Sequence, residues 1–147
     1  MPPADPLQMV VLDASVAVRW VVKEEGSDEA AALLERDITW ITPRLLLTEA
    51  ASALRRKVAD RALAPAAAGQ SLDALLQAVA DGVIRLIEDE RVIAPALLLA
   101  LSLQHKVLDC VYLALAEREG AGIATADDRL ARLARSRGVN VLQVPHA

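Results

Sequence analysis

The run Met9-Val10-Val11-Leu12 is apolar without alternation and stops on Asp13. An uninterrupted short apolar run is the mark of a strand covered on both faces. The period then changes. Val16, Ala17, Trp20 and Val21 recur at helical spacing and predict a helix to about Val22. Glu24 to Ser27 reads as a loop, with Ser27 placed to cap a second helix whose apolar stripe is Ala30, Leu33 and Leu34. Ile38 to Thr42 is a second strand closed by Pro43, and Arg44 to Asp60 continues as a helix. Pro65 opens another helix that runs to about Asp81, where Gly82 stops it. Val83 to Ile87 is a third strand. Ile93 to His105 is apolar almost all round and predicts a deeply packed helix. Leu108 to Glu119 carries Leu108, Val111, Tyr112, Leu115 and Ala116 on one helical face, ended by Gly120 and Gly122. Ile123 to Thr125 is a fourth strand, Arg129 to Arg137 a helix stopped by Gly138, and Val139 to Val144 a fifth strand.

Strands alternating with helices imply an α/β domain, a parallel sheet with helices on both faces in three layers. The 147 residues suit one domain, and no repeat or long linker divides them. Residues 9–147 are therefore expected to form a single domain. Residues 1–8 carry three prolines and no basic segment, and read as a loose, flexible tail and not a signal peptide.

Composition narrows this picture. Hydrophobic residues make up 54% but aromatics only 2%, so the core must be built from Ala, Leu and Val. Cys110 is the only cysteine, which excludes an internal disulfide and makes a reducing cytoplasm the simpler home. Two histidines and one cysteine exclude an ordinary structural zinc site. The longest apolar stretch, Val92 to Leu103, is broken by Pro95 and too short to span a bilayer, so no membrane partner is expected. The net charge of −4 argues at first against nucleic acid. That objection weakens if four carboxylates belong to one site, because the rest of the surface is then near neutral.

Several acids stand at places where such a site would form. Asp13 ends the first strand, and ligands of open parallel sheets bind at that edge; it could equally cap the helix that follows. Ser15 could share that cap or orient a bound water. Glu49 lies at the margin of the apolar arc made by Leu46, Leu47, Ala50, Ala53, Leu54 and Val58; alternatively it pairs with Arg56 or is solvated. Asp109 stands at the start of a helix, where the macrodipole alone would favour it. Asp127 and Asp128 follow Thr125 and the fourth strand. If that strand lies beside the first, Asp127 meets Asp13, with one of the two acids serving as cap and the other as ligand. Carboxylates gathered within a few ångströms repel and raise one another's pKa. A hard divalent cation relieves the repulsion, and all-oxygen ligation points to Mg²⁺ or Mn²⁺.

Val11-Leu12-Asp13-Ala14-Ser15, Leu47-Thr48-Glu49-Ala50, the segment from Leu108-Asp109 through Tyr112 to Ala116, and Thr125-Ala126-Asp127 together resemble the four acidic motifs of PIN-domain nucleases. Order, spacing and length are most similar to the VapC-type toxins of toxin–antitoxin pairs, over nearly the whole chain. The resemblance implies a five-stranded parallel sheet of order 3-2-1-4-5 between helices, and metal-dependent endonucleolytic cleavage of RNA. It implies Asp13, Glu49, Asp109 and Asp127 as metal ligands, Ser15 and Thr125 as hydroxyls near the metal and water, and Asp128 as a bystander. It further implies a homodimer silenced by a small cognate antitoxin. Ser52 departs from the pattern, since members often carry Asn there.

The implied chemistry is metal-assisted hydrolysis of a phosphodiester, with Asp127 or Asp13 taking the proton. Arg19, Arg55, Arg56 or the run Arg129, Arg132, Arg135 could grip the RNA backbone, or form solvated helix faces. Two alternatives stay open: a freestanding PIN nuclease of RNA processing without an antitoxin, and a non-catalytic module that binds RNA or protein. Phosphotransfer domains are set aside. The haloacid-dehalogenase class wants an acid where Ser15 stands, and receivers want a lysine that Gln143-Val144-Pro145 does not offer.

Overall fold

The computed structural model describes residues 8–146. Residues 1–7 of the expected tail lie outside the described residues, whereas the Gln8 carbonyl already accepts the Thr39 N–H at 2.6 Å. Five strands, β1 (Met9–Leu12), β2 (Thr39–Pro43), β3 (Ile84–Ile87), β4 (Gly122–Thr125) and β5 (Val141–Gln143), form one parallel sheet in the order β3-β2-β1-β4-β5. The helices are α1 (Ala14–Val21), α2 (Ser27–Leu33), α3 (Leu45–Ala59), α4 (Pro65–Ala80), α5 (Ile93–Leu103), α6 (Val107–Glu119) and α7 (Asp128–Ser136). A 3-10 turn, Asp89–Arg91, precedes α5.

The central strands β1 and β4 are almost wholly apolar because both their faces are covered, whereas β2, β3 and β5 also carry polar residues such as Thr39, Arg85 and Gln143. Val10, Leu12, Trp40, Ile84 and Ala124 point into a core shared with α1 to α4. Val11, Ile41 and Ile123 point the other way, into a core shared with α5, α6 and α7. This is the two-residue alternation of a strand, read by apolar partners on both sides. Burying each such Val, Leu or Ile contributes roughly 1.5–3 kcal/mol relative to exposure. With so few aromatics, Trp20 and Trp40 matter: their rings meet edge to face at 5.1 Å, and Trp20 Nε1 donates to the Ala30 carbonyl. Together these two interactions tie α1 and α2 to β2.

Register places the site. Leu12 pairs with Ala124, and Asp13 N–H donates to the Ala124 carbonyl at 3.0 Å. Asp13 and Thr125 are thus the next residues at the carboxyl edge of two adjacent central strands.

Three expectations need correction. Ser27 does not cap α2 with its side chain. Gly26 is the N-cap residue, in a left-handed conformation, and the Ser27 hydroxyl instead accepts the Glu24 N–H and donates to the Val22 carbonyl. Gly122 begins β4, and Gly120 alone ends α6 in the left-handed conformation. The third correction is larger. α5 buries only its alanines Ala96 and Ala100, four residues apart, while Leu98 and Leu101 are 69% and 68% exposed. The inner face is formed by these alanines with Leu99 and Leu103 partly buried beside them, and Leu97, Leu98 and Leu101 are left outside. The helix buried nearly all round is α6, where every residue from Asp109 to Ala116 is buried.

The Gly26 turn carries a prediction. Its φ is +88°, and a Cβ there would lie 2.1 Å from the Pro145 carbonyl oxygen and 2.9 Å from Val144 Cγ1. Left-handed strain alone costs an L-residue roughly 1–2 kcal/mol, and the overlap with backbone adds to it. Gly26→Ala should therefore lower the melting temperature, at about 2–4 °C per kcal/mol. Calorimetry showing an unchanged melting temperature would refute the close packing of the C-terminal segment on this turn.

Candidate functional site

Asp13 follows β1, and its carboxylate is buried with 8% exposure. Burial disfavours a charge, so the local sequence surrounds it with donors. Ser15 Oγ donates to Asp13 Oδ2 at 2.6 Å, and Thr125 Oγ1 donates to the same oxygen at 2.7 Å. Each hydroxyl in turn accepts a backbone N–H: Ser15 Oγ from Ala126 at 2.9 Å, Thr125 Oγ1 from Asp127 at 3.0 Å. A hydroxyl has one proton to give. Both protons go to Asp13, so the 3.3 Å approach of Ser15 Oγ to Thr125 Oγ1 adds no third bond. This relay fastens the loop carrying Asp127 to Asp13, and among the described residues no hydrogen bond reaches Asp13 Oδ1.

Asp13, Glu49, Asp109 and Asp127 line one open cleft of about 550 Å³, together with Ser15, Arg19, Glu24, Arg56, Lys57, Asp60 and Lys106. α3 supplies Glu49, half-buried on its margin. The first turn of α6 supplies Asp109, and the residue before α7 supplies Asp127. The acids feel one another. Burial pushes the Asp13 carboxyl above the usual carboxylate range; the Ser15 and Thr125 hydroxyls oppose that, and Asp109 and Asp127 reinforce it. Burial also pushes Glu49 up; the Tyr112 hydroxyl opposes it, Asp13 and Asp109 add to it, and Lys106 opposes it. The Tyr112 hydroxyl is fully buried and, among the described residues, has no partner of full hydrogen-bond geometry. Its neighbours are Glu49 and the backbone of Ala14.

Of the two adjacent acids, Asp127 is the cap. Its Oδ1 accepts the N–H groups of Arg129 and Leu130 at 2.8 and 3.3 Å at the start of α7. Asp128 is exposed and bonded to Gln143 and, at 2.8 Å, to His146. Asp127 therefore holds the helix while its Oδ2 is left over for the cleft. Neither Asp13 nor Asp109 makes a side-chain cap. Asp109 Oδ2 is instead bonded to His105 Nε2 at 2.8 Å. Nothing in the hydrophobic pattern marks His105; only its spacing of four from Asp109 is a signal in the sequence.

The arginines separate. Arg19 is consumed inside the protein: it donates to the Ser15 and Glu25 carbonyls, each at 2.8 Å, and pairs with Glu24 at 3.3 Å. Lys57 reaches the same glutamate at 2.7 Å. Arg135 is bonded to Gln143. Arg129 and Arg132, with Lys106, line a second cleft that shares Ser15, Arg19, Lys106 and Asp127 with the first. Arg55 and Arg135 line neither cleft.

The donor set suits a hard cation: carboxylate oxygens only, at mutual repulsion, beside a buried hydroxyl without a full partner. Among the described residues no three His, Cys, Asp or Glu side chains already stand close enough together to hold an ion.

A sequence model of the PIN domain matches residues 10–136. No match was found among curated protein sequences. Solved structures share the fold. PAE2754 from Pyrobaculum aerophilum is 21% identical, with a TM-score of 0.67 over 92% of this chain and 84% of its own. VapC20 from Mycobacterium tuberculosis, a toxin that cleaves the sarcin–ricin loop, is 16% identical, with a TM-score of 0.62 over 84% and 94%. VapBC-5 from Mycobacterium tuberculosis, of the VapBC toxin–antitoxin family, is 24% identical, with a TM-score of 0.56 over 93% and 99%.

The raised carboxyl pKa values predict the pH dependence of the metal-free protein. A carboxyl whose folded pKa lies above its unfolded value takes up its proton preferentially in the fold. Its stabilising contribution is complete below the ordinary values, 3.8 for Asp and 4.5 for Glu, and is lost as pH rises through the folded values. In chelator, Asp13→Asn should therefore flatten stability against pH above about 4 and gain on wild type at neutral pH. Denaturant melts across a pH series check this, and parallel curves for the two proteins would contradict it.

Proposed function

Because the chain belongs to the PIN-domain family, we propose that it is a metal-dependent endoribonuclease, the toxin of a VapBC-type pair, with residues 9–147 acting as one catalytic domain. The observation that carries this reading is the single cleft lined by Asp13, Glu49, Asp109 and Asp127 at the carboxyl edge of the sheet. Mg²⁺ or Mn²⁺ would be held by these four acids. When bound, the cation offsets charge on the phosphate and makes water a better nucleophile.

The chain's own residues do the rest. Ser15 and Thr125 hold Asp13 Oδ2 and leave Oδ1 to the cleft. The cap leaves Asp127 one oxygen for the cleft, and Asp127 or Asp13 would take the proton of the attacking water. Lys106, Arg129 and Arg132 line the adjoining cleft and would receive phosphates flanking the cut; Arg19 does not join them, because its donors are spent on Ser15, Glu24 and Glu25. Fold similarity to the VapC toxins supports the toxin reading over a freestanding nuclease, and the full set of acids supports catalysis over binding alone.

Purified protein should cut RNA in Mg²⁺ or Mn²⁺ and not in chelator. Asp13→Asn should abolish cutting with an unchanged far-UV CD spectrum. Replacing Arg129 and Arg132 together by alanine should raise KM and reduce the steepness of its salt dependence, by about 0.7 for each single-strand phosphate no longer neutralised. Asp13→Asn cutting at the wild-type rate would remove the assignment.

The apolar face of α5, with Leu97, Leu98 and Leu101 exposed, supports a homodimer. A small antitoxin is the second partner. Expression alone should arrest growth, and the product of an adjoining small gene should restore it. Leu98→Lys with Leu101→Lys should yield monomers in sedimentation. Unimpeded growth at high soluble expression would favour the freestanding nuclease.

A further inference from the structure

The loop between α5 and α6 is held in an uncommon backbone conformation. Gln104 has φ +51° and ψ 49°, the left-handed region that a residue with a side chain rarely enters. The next N–H, that of His105, turns back to the Ala100 carbonyl at 3.1 Å and closes α5. This tight closure sets His105 two residues before α6, one helical turn ahead of Asp109. Its Nε2 lies 2.8 Å from Asp109 Oδ2, and both side chains are only 12% exposed. Asp109 lines the acidic cleft; His105 does not, so the imidazole stands behind the carboxylate and not within the site.

Helix stability does not explain the pair. The start of a helix favours a carboxylate and disfavours a cation, so a histidine just ahead of α6 adds nothing through its charge. It can add something as a donor. Asp13 has Ser15 and Thr125 to fix one oxygen, and Asp127 has two backbone N–H groups. Asp109 has neither. His105 is the one partner that its side chain has among the described residues. The same device thus recurs three times: one carboxylate oxygen is tied down from behind, and the other is left to the cleft.

We propose that His105 is the positioning residue of the site, its Nε2–H holding Asp109 Oδ2 so that Asp109 Oδ1 faces the other acids. This inference rests on the nuclease reading above. His105 touches no substrate; it acts through Asp109, in the way that hydrogen bonds to ligating carboxylates set ligand orientation.

The test compares His105→Ala, His105→Leu, which restores bulk without a donor, and His105→Gln, which restores an N–H donor. Calorimetric titration of the metal-free proteins with Mn²⁺ gives affinity, and RNA cleavage gives kcat and KM separately. His105→Ala and His105→Leu should weaken Mn²⁺ about 10–100-fold. They should lower kcat while leaving KM for RNA near the wild-type value, and His105→Gln should recover most of both losses. The leucine variant keeps the comparison with glutamine in hand if alanine impairs folding. Mn²⁺ affinity equal to wild type in the alanine or leucine variant would overturn the inference, as would a glutamine variant as weak as leucine. Wild-type protein that neither binds Mn²⁺ nor cuts RNA would overturn the nuclease reading and this inference with it. Wild-type protein that does both, alongside indifferent His105 variants, would overturn this inference alone.

Discussion

The structure depends on a carboxylate buried where the central strand ends. An unaided buried charge is among the most costly features a fold can carry. Here the cost is met locally. Two hydroxyls from adjacent elements give their only protons to one oxygen of Asp13, and each is oriented by a backbone N–H from the 126–127 segment. That places constraints well beyond Asp13. β4 must lie beside β1, in the register that sets Leu12 against Ala124, or Thr125 cannot reach. The turn after β4 must present two successive N–H groups, and so it delivers Asp127 to the same edge.

The remaining acids are brought close by the same topology and pushed apart by their charge. Asp109 and Asp127 both raise the pKa of Asp13, and Asp13 and Asp109 raise that of Glu49. A fold selected only for stability would not gather them, since apolar or neutral residues at these places would remove the repulsion. The excess of negative charge in the cleft is the strongest physical sign that a cation belongs there.

Much of this is legible in the residues. β1 is an uninterrupted apolar run, the other strands are apolar segments broken by single polar residues, and all five lie within a few residues of where those segments put them. The sheet order follows from the resemblance and not from periodicity. The acids can be named from the sequence, but their local roles cannot. Asp127 and Asp128 are adjacent, chemically identical and both next to a helix start; only the path of the backbone decides that Asp127 receives the Arg129 and Leu130 N–H groups while Asp128 turns out to Gln143 and His146. Arg19 reads as available for phosphate until the loop after α1 folds back and takes its donors. His105 carries no periodic signal, because its role arises from a left-handed residue at Gln104, which an ordinary helix-stop pattern does not announce.

The misplacement of α5 has a different origin. A helix's share of apolar residues says how much apolar surface it carries, not what covers it. α5 and α6 are both rich in Leu and Ala, yet α6 is buried over most of its length, whereas α5 packs Ala96, Ala100, Leu99 and Leu103 inward and leaves Leu97, Leu98 and Leu101 outside. Leaving Leu98 and Leu101 outside forgoes the apolar burial that drives folding. Keeping them there makes sense when the outer face has a use of its own. The same helix ends at Gln104 and hands the chain to His105 and Asp109, so a partner docked on α5 would rest on the element that leads into the start of α6, where Lys106 and Asp109 line the acidic cleft.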